Sequence, residues 1–273
     1  MNNLFSIKTN LPEALAVQLS NYTFHKDTVG CSSSDVYRCE YNDKVKYLKI
    51  SDNPNQLSRE RDLLLWMKGK LSVPEVLYYN EYEGHAYLLM TKMNGFMSCD
   101  CKSDSQNKLD RVHEPIEKMI ELLANGLHML QSVDISECPF ENTLDYKLKE
   151  ALYNINHNLV NIEDFEESND FNSPLELYQW LLDNRPDEEL CFTHGDLCLP
   201  NIFIDDNAIT GFIDVGCGGI ADKWQDIALC VRSLGYNLRH TNSTSYIDLL
   251  FFHLGIQPNE EKIRYYILLD ELF

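Results

Sequence analysis

The chain has 273 residues, 44% of them hydrophobic, which is enough to bury a sizeable core in one large domain or two lobes. Its 43 acidic residues outnumber 23 basic ones, and the formal net charge of -20 repels nucleic-acid backbones and anionic membrane surfaces while drawing cations. No apolar run approaches the roughly 20 residues that span a bilayer, nothing near Met1 reads as a secretory signal, and nine irregularly spaced cysteines suit a reducing cytoplasm.

In chain order, the first elements are strands. Tyr22 to Asp27, Asp35 to Tyr41, Lys44 to Ile50, Glu75 to Asn80 and His85 to Thr91 are short, β-branched or aromatic, and separated by Gly, Asn and Asp turn signals. One helix interrupts them, with Asn53 as cap, Pro54 in the first turn, Met67 at the end and Lys68-Gly69 as a stop. The character changes near Asn94-Gly95, so residues 1–93 read as a nucleotide-binding sheet lobe and 94–273 as a larger, mainly helical catalytic and substrate-binding lobe. Its helical segments are Leu109 to Val133, Leu144 to Leu159, Pro174 to Asp183, Ala221 to Leu234, Ser243 to Leu254 and Asn259 to Leu272. Strand-like pieces at Cys191 to Thr193 and Asn201 to Ile213 break that run, and the polar residues around them carry the chemistry.

His194-Gly195-Asp196-Leu197-Cys198-Leu199-Pro200-Asn201 sets an Asn five positions after an Asp, and Asp214-Val215-Gly216 follows a hydrophobic hairpin. A lone Asp or Asn in a loop is usually a turn former. The combined spacing matches the kinase set, in which one carboxylate orients the acceptor hydroxyl and oxygen ligands hold magnesium against the phosphates. Asp196 fits the first role; Asn201 and Asp214 fit the second. His194 reads as structural, holding the loop through a backbone contact.

That set requires a strand Lys paired with a helix Glu. Val45, Tyr47 and Lys49 share one strand face by alternation, so Lys49 is chosen over Lys44 and Lys46. Leu57, Glu60, Leu64 and Met67 form a stripe at helical spacing, which places Glu60 on the buried side and Asp62 towards water. A Glu on an apolar stripe needs a cation, and Lys49 is its natural partner. The loop Gly30-Cys31-Ser32-Ser33-Ser34 precedes the Lys49 strand, which singles out Ser32 as a phosphate contact.

Other motifs compete. Gly216-Cys217-Gly218-Gly219-Ile220-Ala221 fits a dinucleotide fingerprint, but the acidic residue due roughly 20 positions on is replaced by Tyr236, and Asp214 would repel a pyrophosphate. Cys217 and Gly218 stand where a Walker A loop needs Lys and Ser or Thr. Cys191, His194 and Cys198 lack a fourth zinc ligand.

With these residues in hand, the chain resembles the aminoglycoside phosphotransferases of the 3′ type from about Tyr22 to Phe273. The resemblance rests on segment 194–202, Gly-Phe-Ile-Asp-Val-Gly at 211–216, Ala-Asp-Lys-Trp-Gln-Asp-Ile-Ala at 221–228 and the terminal Asp-Glu-Leu-Phe. It implies an α+β, bilobal protein-kinase-like fold with a small antiparallel sheet lobe. It further implies ATP or GTP with Mg2+, and transfer to the 3′-hydroxyl of kanamycin- and neomycin-type drugs, giving resistance.

By position, the resemblance makes Asp196 the catalytic base, Asn201 and Asp214 the metal ligands, and Lys49 and Glu60 the ion pair. Tyr47 would stack on the nucleobase, with Thr91, Met93 and Ile213 also at the nucleotide. The polycationic drug would meet Glu163, Asp164, Glu166, Asp270, Glu271 and the Phe273 carboxylate, with Arg232 nearby. A monomer or weak dimer is expected. Cys217 departs from the family, which commonly has Arg there, and so removes a cation near the transferring phosphate or the bound drug. Two rivals remain: a same-fold kinase of a choline-like or macrolide substrate, and a decayed, cation-binding module.

Overall fold

Residues 11–27, 34–100, 116–166, 170–205, 207–238 and 243–273 are described by the structure, a computed structural model. The chain divides into two units, residues 1–94 with 212–216, and residues 95–211 with 217–273.

The first unit holds α1 (Glu13–Gln18), β1 (Thr23–Lys26), β2 (Asp35–Tyr41), β3 (Lys44–Ser51), α2 (Pro54–Met67), β4 (Val76–Tyr82) and β5 (His85–Thr91). The strands form one antiparallel sheet in the order β1-β2-β3-β5-β4. Tight turns set its register. Glu83 and Gly84 both have positive φ, 51° and 81°, as a two-residue hairpin between right-twisted strands demands.

Alternation then assigns the two faces. Leu48 of β3 joins Leu11, Leu15, Leu19, Phe24, Tyr37, Cys39 and Leu89 in the core on one side. Lys49 is carried to the other side, where α2 packs on β3, β4 and β5 with Leu57, Leu63, Leu64 and Met67 buried. A one-residue slip would exchange Leu48 for Lys49, and each buried leucine contributes about 1.5–3 kcal/mol, so the register is strongly specified. The sequence reading did not include α1, although Leu11, Leu15 and Leu19 recur every fourth residue, the mark of a helical stripe. Helix α2 has the expected bounds, but the Asn53 side chain makes no capping bond; instead Ser51 Oγ accepts the Asn53 N–H at 3.1 Å.

The second unit holds β6 (Phe96–Met97), α3 (Ile116–Gln131), α4 (Leu144–Asn156), α5 (Pro174–Asp183), β7 (Leu190–Thr193), β8 (Ile202–Asp205) and β9 (Ala208–Phe212), whose last residue belongs to the first unit. After it come β10 (Gly219–Asp222), α6 (Lys223–Asn237), α7 (Ser243–Leu254) and α8 (Glu260–Asp270). Helix α3 packs on α7, and α6 on α8. Strands β6, β8 and β9 form one small sheet, and β7 pairs with β10 in another.

Helix α6 starts at Lys223 rather than at the expected Ala221, because Ala221 pairs with Cys191 in the β7–β10 ladder and Asp222 caps the helix by accepting the Trp224 N–H at 3.3 Å. Asp222 is fully buried and also accepts from Lys262 Nζ and the Tyr266 hydroxyl, each at 2.9 Å, which fastens α8 to the start of α6. Among the described residues, no helix is long and apolar enough to cross a membrane.

Candidate active site

In the first unit, Lys49 Nζ lies 2.7 and 2.9 Å from the two Glu60 oxygens and 2.7 Å from Asp214 Oδ1. Lys49 and Glu60 are 7% and 3% exposed, so neither charge is met by bulk water and each needs the other. Burial alone would lower the Lys49 pKa, but the Glu60 and Asp214 carboxylates outweigh it and raise it, keeping the ammonium charged. Asp214 sits in a left-handed conformation, φ 59°, a strained backbone for a non-glycine residue.

The other expected nucleotide residues of this unit are on β3, β5 and the segment before Asp214. Tyr47 is half-buried on the Lys49 face of β3, paired across the ladder with Arg38 and Met90. The Thr91 N–H donates to Glu75 O at 3.0 Å, and its hydroxyl accepts the Glu75 N–H at 2.9 Å, which fixes the end of β5. Met93 is buried and Ile213 half-buried. Ser32 lies outside the described residues.

In the second unit the loop carrying Asp196 leaves β7 and enters β8 through a 3-10 turn at Leu199–Asn201. Asn201 Nδ2 donates to the Asp196 backbone oxygen at 2.9 Å and to Asp196 Oδ2 at 3.1 Å, which fixes the orientation of the amide. His194 is fully buried and its Nδ1 accepts the Asp196 N–H at 3.3 Å, the backbone contact expected of it. Gly195 has φ 83°, and a Cβ there would meet the Cys217 carbonyl oxygen at 2.0 Å, so only glycine fits. That carbonyl is held by Asn142 Nδ2 at 2.8 Å, while Cys217 as a residue is exposed.

Asp226 of α6 holds the same loop, and the sequence reading quoted it only as part of a signature segment. Its carboxylate accepts the His194 N–H at 2.6 Å and the Gly195 N–H at 2.9 Å. It lies among the buried Trp224, Ile227, Ala228 and Cys230, so the rule that singled out Glu60, a carboxylate on an apolar stripe, would have found it. Burial pushes its pKa up to about 6, against the lowering effect of His194 and of the two backbone N–H groups. Ser233, one turn further along α6 than Leu229, accepts the Leu199 N–H at 2.9 Å.

The structure brings four of the expected drug contacts together. Arg232 Nη2 is 2.5 Å from Asp270 Oδ2, and its Nε is 3.8 Å from Glu166 Oε1. The Glu166 N–H points at both Glu271 oxygens, 3.1 and 3.2 Å away. Burial would lower the Arg232 pKa, but Asp270, Glu166 and Asp196 raise it. Glu163 is exposed on the 3-10 turn Ile162–Asp164, its N–H accepted by Asn161. The Phe273 ring is half-exposed and carries Lys147 Nζ 4.0 Å from its centroid. The Asp164 side chain lies outside the described residues.

The donor chemistry suits magnesium, a hard cation that takes carboxylate and amide oxygens. Lys49, Glu60 and Asp214 together hold two negative charges and one positive, and a cation would offset the excess. Among the described residues no cluster of three His, Cys, Asp or Glu side chains forms a metal site, and magnesium shared with phosphates requires none.

Residues 29–266 match the model of the phosphotransferase enzyme family. An aminoglycoside 3′-phosphotransferase of Enterococcus faecalis is 41% identical, with 97% of this chain and 99% of that protein covered. Its Staphylococcus aureus counterpart is 40% identical over the same shares. Among solved structures, an aminoglycoside-3′-phosphotransferase of type VIII superposes with a TM-score of 0.80 at 26% identity, covering 95% of this chain and 97% of its own.

Proposed function

Because this chain belongs to the aminoglycoside 3′-phosphotransferase family, we propose that it moves the γ-phosphoryl group of ATP or GTP onto the 3′-hydroxyl of kanamycin- and neomycin-type antibiotics and so confers resistance. Asp196 orients that hydroxyl and accepts its proton as the new P–O bond forms and the bond from the γ-phosphorus to the bridging oxygen breaks. Lys49, held by Glu60, meets the α- and β-phosphates; Ser32 donates to the phosphates. Tyr47 stacks on the base, whose edge meets Thr91 and Met93, and Ile213 lines the same site. Asp214 and Asn201 would hold magnesium, which would offset the charge of the phosphates during transfer.

Carboxylates of Glu163, Asp164, Glu166, Asp270, Glu271 and the Phe273 terminus receive the drug's ammonium groups by charge-assisted hydrogen bonds. Arg232 keeps Asp270 and Glu166 in place for them. The enzyme acts in the cytoplasm as a monomer or weak dimer, with residues 1–93 serving the nucleotide and 94–273 the drug, and without nucleic acid or membrane.

The observation that carries this reading is the buried Lys49 ammonium held between Glu60 and Asp214. A coupled nucleotide-turnover assay with kanamycin, neomycin and a 3′-deoxy aminoglycoside tests it. Turnover is expected with the first two and absent with the third, and Asp196→Ala should lose about 10²–10⁴-fold in kcat. Turnover with choline or a macrolide but no aminoglycoside would transfer the assignment to a same-fold kinase; nucleotide binding with no turnover on any acceptor would leave a decayed module.

A further inference from the structure

We infer that Arg59 is a positioning residue for the segment that carries Asp214, acting through the backbone of Gly216. Arg59 precedes Glu60 on α2, and its Nε donates to the Gly216 carbonyl oxygen at 2.9 Å. Gly216 itself lies against that turn of the helix, since a Cβ there would stand 3.4 Å from Glu60 Cβ. Segment 212–216 is thus fastened at three places within the first unit: Phe212 N–H to Ser72 O at 3.0 Å, Asp214 to Lys49 at 2.7 Å, and Gly216 O to Arg59.

Asp214 sits between the outer two fastenings in a left-handed conformation, φ 59°, which a non-glycine residue keeps only where its surroundings hold it. The Lys49 bond grips the carboxylate, but a carboxylate that turns to a metal must be aimed by its backbone. The Arg59 bond constrains that backbone two residues on. Adjacent residues of one helix therefore divide the work, with Glu60 fixing the ammonium and Arg59 the peptide.

The inference rests on the kinase reading through the magnesium–nucleotide complex, and its test needs no drug. Calorimetric titration of a non-hydrolysable triphosphate at a series of Mg2+ concentrations gives the concentration for half-maximal binding. Arg59→Met keeps the aliphatic stem and removes the donor; it should raise that concentration about threefold to tenfold, the worth of one hydrogen bond. Arg59→Lys returns a donor and should stay within about twofold of wild type. In an Asp214→Asn background Arg59→Met should add nothing, because a positioning residue has no effect without the group it positions.

A magnesium dependence unchanged in Arg59→Met, or a full additional loss in the double variant, would overturn the inference. Arg59→Leu, which also lacks a donor, gives the same comparison if Arg59→Met melts several degrees lower. Absence of turnover on aminoglycosides by the wild type would sink the substrate assignment and leave this measurement standing.

Discussion

Asp226 receives the backbone N–H groups of His194 and Gly195 from a buried position, and the same burial pushes its carboxyl up to about 6 from an ordinary 3.8. The signs for stability and activity differ. Between about 3.8 and 6 the folded chain holds a proton that the unfolded chain has lost, so this group's contribution to stability falls as pH rises across that window and is flat above it. Activity runs the other way: a protonated carboxyl offers an O–H where two N–H donors need an acceptor, so turnover should fall as pH drops through about 6. Asp226→Asn leaves one of those donors facing an amide NH2, at a cost of about 1–3 kcal/mol. Measured from pH 5 to 8, the variant should show low kcat without that acid limb, with nucleotide KM near wild type. A limb identical in both proteins would assign it to another group. Lys49 and Glu60 were legible in the sequence because the kinase set demanded such a pair and periodicity said which Lys and which Glu. No motif asked for Asp226: only its place among the apolar residues of α6 marked it as needing partners, and those partners are backbone N–H groups, which a sequence does not display.

At the scale of elements, strands and helices with strong periodicity were legible nearly to the residue: β2, β5, α2, α5 and α7 have the expected bounds. The pieces that were not are short and set by close approach. Strand β10 (Gly219–Asp222) overlaps the glycine-rich run Gly216 to Ala221, whose spacing also fits a dinucleotide fingerprint. Its Gly219 answers to packing, since a Cβ there would stand 2.8 Å from Asn142 Nδ2 and 2.9 Å from Phe140 O. Gly195 is the stricter case. Gly195→Ala combines a positive φ, which costs about 1–3 kcal/mol, with a collision against the Cys217 carbonyl that no side chain can relieve. The loop carrying Asp196 must shift, and 1 Å of misplacement can cost about 10²-fold in rate. The variant should therefore lose far more kcat than its lowered melting temperature accounts for; a loss of stability with kcat intact would mean that the loop tolerates the shift.

Over the whole molecule the dominant quantity is the net charge of -20. It favours a polycationic acceptor and opposes a polyanionic nucleotide, which the Lys49 ammonium must win locally. Salt screens these long-range fields within about 10 Å at 0.1 M. Raising KCl from about 50 to 500 mM should therefore raise the drug's KM severalfold while nucleotide KM holds or falls. Parallel changes in the two would show that the global field steers neither. The acidic excess was plain from composition, but its use was not: of the carboxylates named for the drug, Asp270 and Glu166 already have Arg232 as counter-ion, and Glu271 accepts a backbone N–H.

Residues 212–216 belong with the first unit although the chain on both sides of them belongs to the second. The polypeptide consequently passes from one unit to the other at 94/95, 211/212 and 216/217, and no single cut yields a self-sufficient half. A fragment ending at Asn94 would present a buried ammonium with one carboxylate where the intact chain provides two, and a gene split at that point would leave each product missing part of the other's equipment. Insertions and swaps between relatives must take the five-residue patch along with the amino-terminal portion or rebuild it.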